Sequence, residues 1–122
     1  MINGAIILES LSEDARLDNL ALSIRELYRF RPPVTAPGHP PVWSVIEFEA
    51  PETSASPLAQ ALTDVLSEQP GWYVEFRSPT ETFIVFRGKY FRYPRGDNRG
   101  RAEAQEYGRL TGTPESQLDW PS

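Results

Sequence analysis

Cysteine is missing from this 122-residue sequence, histidine and methionine occur once each, and no apolar run approaches the roughly 18 residues of a membrane helix. Without thiols there is no disulfide, no thiolate nucleophile, no iron–sulfur cluster and no cysteine-bearing zinc site, so nothing favours an oxidising compartment. The opening residues, Met1 to Glu9, lack both the basic start and the long apolar stretch of a secretory signal. The expected protein is soluble and cytoplasmic, with no membrane association.

The common catalytic and cofactor signatures are missing too: no glycine-rich phosphate loop, no Gly-x-Ser-x-Gly elbow, no His-Glu-x-x-His and no calcium loop. His39 lies between Gly38 and Pro40 with no second histidine or cysteine to share a metal or build a triad, and reads as a solvated loop residue. No metal, no cofactor and no catalytic residue are therefore expected. Seventeen acids leave carboxylate chemistry formally open. Glu47 and Glu49 share a strand face and Glu103 and Glu106 a helical one, but neither pair has a supporting motif, and both read as solvated surface.

What remains is an ordinary globular composition, with 39% hydrophobic residues, 24% charged residues and fourteen aromatics, which argues against disorder. The length suits one domain, residues 1–122, able to bury roughly two thirds of its unfolded surface. The net charge of −5 favours solubility and discourages indiscriminate binding to a polyanion.

Residues 5–11 read as a buried strand closed by a polar turn. Residues 20–30 fit both strict alternation and helical spacing. Strand is preferred, with a bulge near Glu26 to repair the alternation. Five prolines between Arg31 and Pro41 exclude a helix or a central strand and predict an exposed loop inside the domain. Residues 43–49 return to strand composition. Ser56 and Pro57 then suit a helix start, and Leu58, Ala61, Leu62, Val65 and Leu66 share one stripe before Pro70-Gly71.

Three strands follow, at residues 72–77, 82–87 and 89–93, with Gly88 supplying a tight turn. A second helix over residues 99–111 is capped by Asp97 or Asn98 and closed by Gly112. A short turn then carries Leu118 and Trp120, and Trp120 either pins the tail into a groove or awaits a partner. The order βββαβββα predicts an α+β fold: a mainly antiparallel sheet of about six strands, with both helices gathered on one face. Phe83 to Phe86, apolar on both parities, should be central and covered on both sides. The helix after Glu49 has room for one parallel crossover.

The segment Arg87 to Arg101 holds six of the twelve basic residues against one acid, Asp97, leaving −10 for the rest. Gly88 and Gly96-Asp97 are turn and cap chemistry, which also explains the Arg95-Gly96-Asp97 tripeptide without any receptor. Phe91 and Tyr93 alternate with Arg92 and read as buried. Arg92, Arg95, Arg99 and Arg101, with Tyr90 nearby, are left as the candidate contact surface, able to meet phosphates or an acidic partner. The bland alternative is arginines that pair with the protein's own carboxylates and blunt a sheet edge.

The C-terminal half carries Gly71-Trp72-Tyr73-Val74-Glu75-Phe76, then Phe86-x-Gly88-x-x-Phe91-Arg92-Tyr93-x-Arg95-Gly96-Asp97, then Tyr107-Gly108-Arg109 and Pro114-Glu115-x-Gln117-Leu118-Asp119-Trp120. Over residues 71–120 it resembles a family of small bacterial proteins of uncharacterised activity. The resemblance implies a bacterial, cytosolic setting and no particular cofactor or catalytic residue. The leading expectation is a small intracellular interaction or accessory protein, with a protein partner or a second copy meeting a sheet edge or exposed aromatics. An anion-binding module taking a phosphorylated ligand or nucleic acid on the basic segment comes second, and a carboxylate-based enzyme third.

Overall fold

In the computed structural model, which describes residues 1–121, the chain forms the α+β fold expected from its element order. The strands are β1 (Ile2–Ile7), β2 (Ser23–Phe30), β3 (Trp43–Ala50), β4 (Val74–Arg77), β5 (Glu81–Phe86) and β6 (Lys89–Pro94), with helices α1 (Ala55–Val65) and α2 (Asn98–Leu110). All six strands join one sheet in the order β2-β3-β1-β4-β5-β6, and every neighbouring pair is antiparallel.

The central strand is β1, at the start of the chain. It pairs with β3 on one side and β4 on the other. Those two strands are therefore parallel to each other, and α1 connects them by crossing over β1. Gly4 permits the close approach of β1 and β4. A Cβ there would lie 2.5 Å from Phe76 Cβ and 2.7 Å from the Glu75 carbonyl oxygen.

Parity along β5 decides the layers. Phe83 and Val85 join a core with Leu58, Ala59 and Leu62 of α1, and with Ile2, Ile6, Val74 and Phe76 of the sheet. Ile84 and Phe86 point the other way, to Tyr93, Ala104 of α2, Leu118 and Trp120. The helices thus lie on opposite faces, which corrects the expectation of one face. A strand buried on both parities needs a cover on both sides, and each helix supplies one.

Local chemistry moves some boundaries. The first strand ends at Ile7 rather than Leu11, because residues 8–10 form a 3-10 turn and the Ser10 hydroxyl donates to the Ile7 carbonyl at 2.6 Å. Leu11 keeps only an isolated bridge to Leu66. That bridge also ends α1 before Pro70. Ser56 does not cap α1, which starts at Ala55 after a 3-10 turn over Glu52–Ser54 and has no side-chain cap. The bulge expected near Glu26 is present as a register shift between Ile24 and Glu26, and Gly88 turns the β5–β6 hairpin with φ +80°. Asp97 caps α2 by accepting from the Gly100 amide at 3.0 Å.

The tail residue Trp120 is buried, edge-on to Tyr73 with ring centroids 5.2 Å apart. It docks rather than waits. Gly108 makes room for it, since a Cβ there would meet Leu118 at 2.8 Å and Trp120 at 3.2 Å. Among the described residues no helix is long and apolar enough to cross a membrane.

Candidate functional site

Helix α2 and the tail cover only one end of their face of the sheet, leaving the inner strands and β2 open there. Cross-strand register sets out what this open face carries. One row runs Glu26, Glu47, Ala5, Glu75; the next runs Ser23, Glu49, Asn3, Arg77. In the other direction come Tyr28, Val45 and Ile7, then Phe30 and Trp43. The face is therefore charged at one end and aromatic at the other, with the small Ala5 between.

Each end forms a hollow. The charged one, of about 540 Å³, is lined by Asn3, Ala5, Arg25, Glu26, Glu47, Glu49, Glu75 and Arg77, with Gly4 in its floor. Arg25 pairs with Glu49 and Arg77 with Glu75. Four glutamates thus meet two arginines, and neither Glu26 nor Glu47 joins an ion pair among the described residues. The aromatic hollow, of about 210 Å³, lies between Tyr28, Phe30, Trp43, Trp72 and Tyr73, and Ala5 and Glu75 belong to both. Burial, together with the Glu47 carboxylate beside it, pushes the Tyr28 pKa up. Burial pushes Tyr73 up to about 12, so both phenols stay protonated at neutral pH.

Rigid packing fixes the aromatic walls. Phe30 meets Trp43 edge-on at 5.9 Å, Trp43 lies 5.3 Å from Trp72, and Trp72 stacks on His39 at 3.7 Å and 5°. Trp43 Nε1 donates to the Pro40 carbonyl and Trp72 Nε1 to Gln69 Oε1, each at 3.0 Å. The proline-rich loop is thereby tied down at its second half. His39 is buried, not solvated, with Nε2 2.8 Å from the Pro70 carbonyl oxygen. Five prolines predicted exposure, but Trp72, 33 positions away in sequence, overrides composition by stacking on the ring.

Burial lowers the His39 pKa from its ordinary 6.5, against the Pro70 hydrogen bond that raises it. The unfolded chain therefore binds this proton more readily than the folded one. Stability should be complete above about pH 6.5 and fall as pH drops toward the depressed folded value, with a slope of at most about 1.4 kcal/mol per pH unit. Urea midpoints at pH 7.5 and 5.5 should differ in the native chain, and His39→Gln should remove the difference. An unchanged difference in that variant would place the titrating group elsewhere.

The sequence-predicted basic residues are divided by the sheet. Tyr90 packs against the α1-side core. Arg92 is on that side too, over the Phe83 ring at 5.2 Å, and is held by Glu81 through bonds of 2.6 and 2.8 Å. Those bonds lower the Glu81 pKa and raise that of Arg92. Arg99 and Arg101 belong to α2, on the opposite side; Arg99 lies 3.6 Å from Glu103, and Arg101 has its Nε buried without a partner. Arg95 is exposed in the turn, its amide donating to the Thr80 carbonyl at 2.9 Å. Arg87 reaches the Leu66 carbonyl at 2.7 Å. The structure does not gather these side chains on one face.

Sequence reasoning missed the open face because its walls come from residues as far apart as Ala5 and Gln117. The surplus of aromatics was its one signal. Among the described residues, no group of three or more histidines or carboxylates is placed to hold a metal ion.

The chain matches no family model, no curated protein and no solved structure. The C-terminal motifs have a packing explanation: Asp97 caps α2, Gly100 and Gly108 admit Tyr93 and the tail, and Leu118 and Trp120 fill the second core.

Proposed function

We propose that this protein is an interaction module that accepts an extended segment of a partner protein along the free edge of β2. The observation that carries the reading is the exposure of all eight β2 residues at the sheet edge, beside two ready hollows. Ile24 and Leu27 are each 63% exposed, large apolar side chains with no cover of their own. The other edge, β6, ends in Pro94, which cannot donate to an added strand, whereas β2 contains no proline. On β2 the bulge distorts only one end, leaving Glu26 to Phe30 regular.

A strand added there gains main-chain hydrogen bonds, while its alternate side chains enter the hollows of the open face and the others meet Ile24 and Leu27. Glu26 to Phe30 offers about five residues, roughly 17 Å, enough for two or three inward side chains. The internal pairing of Arg92 and Arg87 favours this reading over anion binding along the basic segment.

The test titrates a capped seven-residue peptide of alternating arginine and valine into the labelled protein while amide exchange is followed. Slowed exchange confined to β2 and its β3 neighbours is expected, with Tyr28→Ser weakening binding about fivefold or more. No effect on β2 amides at millimolar peptide, with the protein folded, overturns the proposal.

A further inference from the structure

We infer that the aromatic hollow is a receptor for one cationic head group, the guanidinium or ammonium of a basic side chain. The inference rests on the strand-acceptor reading for how that group arrives, but the hollow has a chemistry of its own. Its walls include Tyr28, Phe30, Trp43 and Tyr73, whose ring faces carry the negative side of the aromatic quadrupole. Among the described residues no basic side chain lines it. Glu75 stands at its junction with the charged hollow, Glu47 lies beside Tyr28, and the open face has two more acids than arginines.

Aromatic faces with nearby carboxylates hold a cation by cation–π attraction and by charge together, and both strengthen as water leaves. An anion meets unfavourable charge from each component. Size narrows the ligand further. At about 210 Å³ the hollow is smaller than the roughly 300 Å³ at which drug-sized pockets begin, and suits one side-chain head group. The walls are preformed, because His39, Trp43 and Trp72 are fixed by stacking and indole hydrogen bonds. The partner segment is thus a basic one, with an arginine or lysine aligned on Tyr28.

The experiment uses two small probes that differ in charge and little else, Nα-acetyl-arginine amide and Nα-acetyl-citrulline amide. Ring resonances of Tyr28 and the indole resonances of Trp43 report occupancy. The arginine probe should bind about tenfold more tightly than citrulline, and Glu47→Gln and Tyr28→Leu should each bring the ratio toward one. Both side chains are at least partly exposed, and circular dichroism confirms that each variant is folded. Equal binding of the two probes, or a ratio that both variants leave intact, overturns the cation site.

Peptides of alternating arginine–valine and citrulline–valine separate this inference from the reading it rests on. Equal protection of β2 by both peptides keeps the strand acceptor and removes the cation receptor. Selective binding of the small arginine probe with no protection of β2 by either peptide keeps the receptor and removes the strand acceptor.

Discussion

Gly4→Ala, the addition of one methyl group, is expected to lower stability by about 3 kcal/mol, among the largest losses any small substitution in this chain can cause. The new Cβ would fall 2.5 Å from Phe76 Cβ, 2.7 Å from the Glu75 carbonyl oxygen and 2.9 Å from Phe76 Cα. These are main-chain and first side-chain atoms of the neighbouring strand, so no rotamer change relieves the clash. β1 and β4 must move apart, and the ladder from Asn3–Arg77 to Ala5–Glu75 goes with them. Gly88→Ala is the control, because a Cβ there meets nothing within 4 Å and only the positive φ is strained. It should cost about 1 kcal/mol. Urea denaturation of the two variants measures the contrast. Equal losses would show that β4 yields and that the close approach is not limiting.

Trp120→Ala is the second large effect, with an expected loss of about 3–5 kcal/mol and a fall in midpoint temperature on the order of 15 °C. The indole is only 2% exposed and touches both sheet and helix, with its ring centroid 5.2 Å from Tyr73 and 6.0 Å from Phe86. Removing it leaves a hollow bounded by Gly108, which has no side chain to refill it. The damage should spread along Tyr73, which lines the aromatic hollow and donates to the Gln117 carbonyl at 3.2 Å. Trp120→Phe, which keeps a ring, should recover more than half of the loss. If alanine costs less than about 1 kcal/mol, the tail contributes little and its docking is incidental.

Residues whose partners are nearby in the chain were legible. The stripe from Leu58 to Val65 needed only helical spacing, Gly88 only its positive φ, and Asp97 only the three-residue reach to Gly100. Phe83 to Phe86, apolar on both parities, pointed to a cover on both sides, which conflicted with two helices on one face. A strand apolar on both parities requires two covers, so two helices in one chain belong on two faces.

What was not legible depends on distant partners. His39 is buried by Trp72, and the open face exists because α2 packs on β5 and β6 and leaves the strands beyond them uncovered on that side. The basic run from Arg87 to Arg101 is conspicuous in a sequence, while the pairing of Arg92 with Glu81 and of Arg87 with the Leu66 carbonyl is not. The candidate site itself was visible only as a surplus of aromatic residues with no assigned place.

The central position of β1 also has a consequence in time. Gly4 leaves the ribosome before its partner Phe76, which lies 72 positions later, so at synthesis rates of about 5–20 residues per second β1 waits roughly 4–15 s for its second neighbour. The three strands β4, β5 and β6 meet across short turns and can pair as they emerge, while the pairing of β1 with β4 carries the full entropy of a long loop. Joining the two halves of the sheet is therefore expected to come late in folding. Until then β1 keeps one edge unpaired, and Ile2 and Ile6 lack the cover that Val74 and Phe76 supply in the finished core.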